Sequence, residues 1–401
     1  MRAHRVFLAI LGFTILSFFL LIVIPALVPQ REPVVPRAAE AAGPPPSEWV
    51  QLVAVQMTFN LDDYWSRDAF EAKIRSLMEI VADRIDPELP TLVVFPEDVG
   101  LMLVAQGMQS RLQGVASIAE AIEAAVRAHI VPLAITRLWR GLSWVPALFL
   151  LKHQTIAETY FDVFSTVARE YGVYLVAGSA VLPPYRIEDG VAQWRSGPLE
   201  HRVYNTSYLF GPDGKIIGSQ QKVYLIELER EAALDLSSGS LESLEVFDTP
   251  VGRVGIAICL DAFQDDVIER LAAQGAQILV QPSANPGPWT PEQQIDWMRS
   301  SHQKTYDEKR FEYAVNPMMN GPLWEIAFYG QSSIVARNPE ALPGTSSPTP
   351  ASPGAPDVEA SNGPVLGYMD LPPAGGFIRL ASSDRTEEVL VARVPHPSLL
   401  R

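Results

Sequence analysis

Short apolar runs alternate with helical patterns along most of the chain. The runs 51–57, 91–95 and 254–258 are rich in β-branched residues and predict buried strands. Between the first two runs, apolar residues recur at the spacing of one helix face and predict an amphipathic helix that buries Phe70, Ile74, Leu77, Met78, Val81 and Ile85. Such an alternation of strands and helices is typical of an α/β domain.

The same alternation continues towards the C-terminus. A helix is expected from Phe161, and Asp213-Gly214 supplies the turn of a hairpin between strands 204–210 and 215–219. The remaining pattern predicts helices within 265–276 and 293–310 and strands within 173–182, 277–286, 311–317, 330–338 and 387–395.

Two segments depart from this alternation, 101–160 and 338–384. In the first, Ser117 and Glu120 form a capping box that predicts a helix ending near residue 129. The stretch 131–152 is apolar but contains two arginines, and two interpretations fit it equally well. It is either a membrane-interface segment or a lid over an apolar pocket, or it is an ordinary pair of core helices. The second segment is dense in Pro, Ser and Gly, which predicts disorder.

The N-terminal part reads as a membrane anchor and a linker. Segment 6–28 is uncharged and long enough to cross a bilayer, and Arg2 and Arg5 precede it. A Pro- and Ala-rich linker, 30–49, follows. The expected organisation is therefore an anchor at 1–29, the linker, and a domain at 50–401 that lies outside the cytoplasm in a single-pass membrane protein.

Composition excludes several classes of function. The net charge of −15 argues against binding to nucleic acid, which requires clustered Lys and Arg. The single cysteine excludes an internal disulfide, and the six scattered histidines have no ligand spacing, so neither a metal nor another cofactor is expected.

Three chemically capable residues follow predicted strands. Cys259 ends an apolar strand just before a predicted helix, a position that favours a thiolate, whereas Glu97 and Lys222 each follow an earlier strand. Taken singly, a lone cysteine is usually a core residue, and the other two residues are usually surface charges. Only their combination indicates a nucleophile with a base and a cation.

The stretches FPED around Glu97, QQKVYLIELE around Lys222 and GIAICLDAF around Cys259 together resemble the carbon–nitrogen hydrolase, or nitrilase, superfamily. The order of the three residues, each at a strand end, is the same as in that family, and the resemblance extends over roughly 51–395. The residues after Cys259 match neither the Trp-Glu of nitrilases nor the Arg-Phe-Pro-Glu of many amidases. The motif therefore does not indicate the substrate.

The resemblance implies a fold and a set of roles. The expected fold is an α-β-β-α sandwich of four layers, in chains that pair as homodimers. Glu97 would be the general base, Cys259 the nucleophile, and Lys222 with the backbone N–H of Leu260 the oxyanion partners. Burial is expected to raise the pKa of the carboxyl group, and the ammonium to lower the pKa of the thiol.

An accessory carboxylate is also implied by the resemblance. Glu229 lies seven positions after Lys222, where the family has a glutamate, and Glu227 is the rival candidate.

Three functions remain open at this stage. The first is hydrolysis of a non-peptide amide through a cysteine thioester, with a small-molecule amide or acyl substrate. The second is acyl transfer to an amine by the same triad, as in the apolipoprotein N-acyltransferases, which this chain resembles in combining a membrane segment with such a domain. The third is a catalytically silent binding module that keeps the fold.

Overall fold

A computed structural model describes residues 47–194, 202–230, 234–342 and 367–400 of the chain. The strands are β1 Trp49–Thr58, β2 Thr91–Val94, β3 Tyr174–Val176, β4 Ala180–Leu182, β5 Arg186–Glu188, β6 Val191–Gln193, β7 Tyr204–Phe210, β8 Ile216–Gln221, β9 Val246–Thr249, β10 Gly252–Ile256, β11 Ile278–Val280, β12 Ser283–Ala284, β13 Tyr313–Asn316, β14 Met318–Leu323, β15 Ile326–Phe328, β16 Ser333–Ala336, β17 Phe377–Leu380 and β18 Glu388–Pro395. The helices are α1 Arg67–Ala82, α2 Gln109–Leu112, α3 Ile118–Ala128, α4 Ile130–Arg140, α5 Trp144–Tyr171, α6 Asp265–Ala273, α7 Pro291–Met298 and α8 Ser301–Tyr306. These elements confirm the expected α/β fold.

The strands in the described ranges form two large mixed sheets and the small β5–β6 ribbon. The first sheet has ten strands, with the order β12-β14-β1-β2-β3-β7-β4, and β15, β18 and β8 join it by pairing with β14, β1 and β7. The second sheet has six strands in the order β17-β16-β13-β11-β10-β9. Strand β1 lies centrally in the first sheet, parallel to β2 and antiparallel to β18.

The main core lies between the two sheets. Leu52 and Ala54 of β1 belong to one buried cluster with Val254 and Ile256 of β10, in agreement with the two-residue period of a strand. Val53, on the opposite face of β1, is equally inaccessible to solvent. Because both faces of β1 are covered, the strand reads as a continuous apolar run in the sequence.

Helices cover the outer faces of both sheets. Helix α1 contacts β18 and α5, and α5 in turn contacts β3, β4 and β7. On the second sheet, α8 contacts β11, β13 and β16. Ser66 caps α1 by accepting a hydrogen bond from the Ala69 N–H, and Gly172 ends α5 with a positive φ of 65°. The layers therefore run helix, sheet, sheet, helix.

Two neighbouring strands pass directly from the second sheet into the first. Strand β11 pairs within the second sheet, and after residues 281 and 282 the chain enters the first sheet as β12. The chain makes the same passage from β13 into β14, through Pro317. The Ser283 N–H donates to the Pro317 carbonyl at 3.1 Å and so connects the two passages. These passages join the two sheets covalently at one end of the sandwich.

The two halves of segment 131–152, for which the sequence left two alternatives open, differ in their exposure. The α4 half is largely at the surface, with Leu138 and Trp139 85% and 74% exposed, whereas the α5 half buries Leu148 and Phe149. The Arg137 guanidinium lies over the Trp144 ring, 4.6 Å from its centroid. The first half is therefore not part of a core helix pair, and the buried second half also lines an apolar cavity.

The membrane localisation expected from the sequence is corrected here. Within the part of the chain that the structure describes, none of the helices combines the length and the apolar character that a bilayer crossing requires. Segment 6–28, on which the anchor was predicted, and most of the linker 30–49 lie outside the described residues. The prediction rested on the apolar length of this segment, on the preceding Arg2 and Arg5 and on its place at the start of the chain.

The prediction of disorder for residues 338–384 is wrong near the C-terminal end of that segment. Phe377–Leu380 forms β17, which pairs with β16 and buries the Phe377 side chain. Pairing against a formed sheet edge supplies hydrogen bonds that local composition does not reveal. Residues 343–366 of this segment lie outside the described ranges.

Gly178 offers a test of how tightly the loop that carries Glu97 is packed. Its φ is +59°, and a Cβ atom there would lie 1.9 Å from the Pro96 carbonyl oxygen. We expect Gly178→Ala to cost about 3 kcal/mol or more, since backbone would have to move. Gly172→Ala, at φ +65° with no atom within 4 Å of the new Cβ, should cost only about 1 kcal/mol. Urea denaturation measures both, and equal losses would contradict the packing argument.

Candidate active site

Three strand ends meet in one buried cluster. Glu97 follows β2, Lys222 directly follows β8, and Cys259 begins a 3₁₀ helix, Cys259–Phe263, three residues after the end of β10. Their exposed fractions are 2%, 1% and 4%. Residues far apart in the sequence thus converge because the ends of these strands lie on the same side of the sandwich.

The Lys222 ammonium lies between two carboxylates. Its Nζ is 2.7 Å from Glu97 Oε1 and 2.6 Å from Glu229 Oε2. Asn205, on β7, donates from Nδ2 to the same two carboxylates, at 2.9 Å and 2.8 Å. In this cluster, the Lys222 ammonium and the Asn205 amide each donate hydrogen bonds to both carboxylates.

Glu229, and not its rival Glu227, contacts the lysine. Both residues belong to the 3₁₀ helix Glu227–Glu229, but Glu227 is exposed whereas Glu229 is buried. The Ile226 N–H donates to Glu229 Oε2 at 3.0 Å, which fixes the carboxylate towards Lys222.

Sequence reasoning did not find two partners of Glu97. One is Asn205, and the other is the backbone N–H of Ala284 on β12, which donates to Glu97 Oε2 at 3.1 Å. A polar residue within the wholly buried strand β7 is a signal that could have drawn attention to Asn205. The backbone donor carries no signal in the sequence.

The backbone at Cys259 is held in an unusual conformation. Its φ is +49°, in the left-handed region that non-glycine residues rarely adopt. The Cys259 N–H donates to the Pro282 carbonyl at 2.9 Å, in the connection between β11 and β12. Strain of this kind is kept only where surrounding contacts enforce it, and it recurs at functional sites. Leu260 follows as the second residue of the same 3₁₀ helix.

Asp261 ties the cysteine segment to the lysine segment. It is fully buried, and its Oδ1 accepts hydrogen bonds from the backbone N–H groups of Val223 at 3.1 Å and Tyr224 at 2.7 Å. These N–H groups directly follow Lys222. The segment that carries Cys259 and the segment that carries Lys222 are thereby tied together.

Burial dominates the protonation of the cluster. It raises the pKa of Glu97 above its ordinary 4.5, although the Lys222 ammonium and, to a smaller extent, the neighbouring Cys259 thiol act in the opposite direction. Burial alone would lower the pKa of Lys222, but Glu97, Cys259 and Glu229 together raise it well above its ordinary value. The ammonium therefore stays charged.

The expected lowering of the thiol pKa is wrong. Burial raises the pKa of Cys259 well above its ordinary value, the Glu97 carboxylate raises it further, and the opposing effect of Lys222 is smaller. The resting cysteine is therefore a neutral thiol.

A cavity opens from this cluster towards segment 101–149. Glu97, Lys222, Glu229 and Ala284 line it at one end. Apolar side chains of the 3₁₀ helix Leu101–Ala105 and of α3, α5 and the β14–β15 turn line the rest. A small organic molecule entering this cavity would meet the buried ionic cluster.

Comparison with known proteins decides the family. The carbon-nitrogen hydrolase family matches residues 54–348, which is more than half of the chain. The chain belongs to the carbon-nitrogen hydrolase family. The match spans both sheets and contains Glu97, Lys222 and Cys259.

The individual relatives and solved structures share low sequence identity with this chain. The omega-amidase NIT2-B of Xenopus laevis is 28% identical over 184 residues, which cover 44% of this chain and 58% of the relative. The chain thus matches somewhat more than half the length of this relative. Nit3 of Saccharomyces cerevisiae, of the nitrilase superfamily, superposes with a TM-score of 0.53 at 17% identity, over 90% of this chain and 96% of its own. A carbon-nitrogen hydrolase of Helicobacter pylori gives 0.53 at 18%, over 86% and 89%. These two support the fold.

Alkylation of the single cysteine tests the electrostatics of the cluster. Because the Glu97 carboxylate raises the pKa of the thiol, Glu97→Gln should lower that pKa, and iodoacetamide should then label Cys259 faster at a given pH. The rate is followed by intact mass from pH 6 to 10. Glu227→Gln, at an exposed carboxylate on a neighbouring segment, is the control and should leave the profile unchanged. An unchanged or slower rate in Glu97→Gln would show that the carboxylate does not act on the thiol.

Proposed function

We propose that this chain hydrolyses the carbon–nitrogen bond of an amide through a thioester on Cys259. The observation that carries the proposal is the buried cluster in which Glu97 accepts hydrogen bonds from the Lys222 ammonium at 2.7 Å and from the Ala284 N–H at 3.1 Å, while the Cys259 Sγ lies 4.0 Å from the carbonyl oxygen of the same Ala284. Family membership and the amidase activity named for the omega-amidase relatives support the same reaction. Each of the three side chains has a separate role.

Acylation begins when the Cys259 sulfur attacks the amide carbonyl carbon. Glu97 takes the thiol proton as the carbon–sulfur bond forms. The carbonyl oxygen becomes an oxyanion, which the Lys222 ammonium and the Leu260 N–H stabilise. The carbon–nitrogen bond then breaks, and Glu97 returns the proton to the leaving amine, which leaves a thioester.

Deacylation repeats these steps with water as the nucleophile. Glu97 takes a proton from the water as its oxygen attacks the thioester carbonyl, and the same donors stabilise the second oxyanion. The carbon–sulfur bond breaks, and Glu97 protonates the departing Cys259 sulfur. The products are a carboxylic acid and an amine or ammonia, and the side chains return to their starting protonation states.

The raised pKa of Glu97 suits a group that alternates between base and acid. A carboxyl group of ordinary pKa is a weak base near neutral pH, and burial brings its pKa closer to the working range. Glu229 and Asn205 act as positioning residues in this scheme. They hold Lys222 and Glu97 in place by hydrogen bonds.

Trapping the thioester tests the nucleophile. A mass increase equal to the acyl group is expected when the protein is mixed with an amide and quenched in acid, and it must lie on Cys259 because the chain has no other cysteine. Cys259→Ala should show neither the adduct nor release of amine. Product release by an intact Cys259→Ala variant would exclude the thioester.

Loss of the ammonium tests the oxyanion role. Lys222→Met should lower kcat about 10²-fold or more, since one oxyanion donor contributes that much in related chemistry. Circular dichroism shows whether the variant is folded. Lys215→Met, at an exposed lysine before β8, is the matched control and should keep full activity.

The pH dependence of kcat/KM tests the base. Glu97 must be deprotonated to accept the thiol proton, so kcat/KM should fall as pH decreases through its pKa, which lies above 4.5. A profile that stays flat down to pH 4 in a folded protein would rule out this carboxylate as the base.

A further inference from the structure

We infer that the acyl half of the substrate is a hydrocarbon chain. This inference rests on the proposed function and names the class of amide that the site takes. The observation behind it is the composition of the cavity that leads away from Glu97 and Lys222.

The cavity is charged only at its catalytic end. Among the described residues that line it, the charged ones are Glu97, Asp98, Lys222 and Glu229. Every other lining residue is apolar, among them Leu101, Met102, Ile122, Leu148, Phe149 and Phe328. The lining therefore presents hydrocarbon from the cluster of Glu97, Lys222 and Glu229 outwards.

A polar acyl group would lose its hydration in this cavity without finding a partner. An amide or hydroxyl group buried without a hydrogen bond costs about 1–3 kcal/mol in proteins, and an ionised carboxylate costs far more. The Glu97 and Glu229 carboxylates at the catalytic end would also repel a second anion. An apolar chain, in contrast, gains free energy with each buried methylene.

Of the two halves of the amide, the acyl half is the better candidate to occupy this cavity. It stays attached to Cys259 through both half-reactions, whereas the amine leaves and water takes its place. An apolar wall beside the leaving amine would hinder the water that must follow it. We therefore assign the apolar walls to the acyl chain.

The walls are tied together before a substrate binds. The Ile118 N–H at the start of α3 donates to Glu325 Oε2 in the β14–β15 turn, at 2.9 Å. This bond joins two lining elements, since Ile118 on α3 and Trp324 in the turn both face the cavity. A preformed pocket loses less entropy on binding than one that must be assembled.

A series of primary amides from acetamide to octanamide tests the inference, with ammonia release as the measurement. We expect kcat/KM to rise about fourfold for each added methylene, the effect of burying one CH₂ group, until the chain fills the cavity. Hexanamide should therefore exceed acetamide by about two orders of magnitude. A series of N-alkylacetamides, which lengthens the amine half instead and is followed by release of the alkylamine, should show no such rise.

Variants in α3 tie the effect to the cavity. Ala125 lines the cavity and is 5% exposed, so Ala125→Phe should lower kcat/KM for hexanamide far more than for acetamide and thereby remove the advantage of the longer chain. Ala121→Leu is a smaller change at a second lining position, and it replaces the first variant if that one does not fold. Ala119→Phe lies on the same helix but is exposed and outside the lining, so it should leave the whole series unchanged.

Binding to the inactive Cys259→Ala variant separates the two proposals. Binding by calorimetry that strengthens with acyl length, without turnover by the unmodified protein, would overturn the proposed function and support the inference about the cavity. Turnover that depends on Cys259 but is flat or declining with acyl length would overturn the inference and leave the function standing. A rise with the N-alkyl series alone would also overturn the assignment to the acyl half.

Discussion

The buried ion cluster of Glu97, Lys222 and Glu229 constrains the rest of the structure. Removing one ammonium and two carboxylates from water costs several kcal/mol per ion, and their attraction offsets this cost only when the geometry is good and the remaining polar atoms are bonded. Here Asn205 and the Ala284 N–H complete the bonding of Glu97, and the Ile226 N–H that of Glu229. A small displacement of any element that carries these groups would leave a buried charge partly unpaired.

The two-sheet architecture supplies the required rigidity. Glu97 extends from β2, which has paired strands on both sides, and Lys222 from β8. The direct passage of the chain from β11 into β12 places Pro282 against the Cys259 N–H and Ala284 against Glu97. One short connection thus sets both the strained backbone of the cysteine and the orientation of the carboxylate.

The apolar surroundings of the cluster exclude water, which affects both the pKa values of the cluster and the kind of molecule that the cavity favours. Exclusion of water raises the pKa of Glu97 and of the Cys259 thiol, because the charged forms lose hydration. The same exclusion leaves a cavity in which hydrocarbon is the favoured occupant. Protonation of the reacting groups and preference for the substrate are therefore expected to change together when the walls are made polar.

The local pattern of the sequence was sufficient to predict the α/β fold and the strand ends that carry Glu97, Lys222 and Cys259, because buried strands between two layers appear as β-branched runs that need no knowledge of their partners. It was insufficient for Asn205 and Ala284, which bond to Glu97 across 108 and 187 residues. The net direction of the thiol pKa, the strand at Phe377–Leu380 and the use of α3 and α5 as cavity walls were likewise decided by tertiary structure. Each of these depends on burial or on a bond between distant segments, and neither quantity exists until the two sheets have packed.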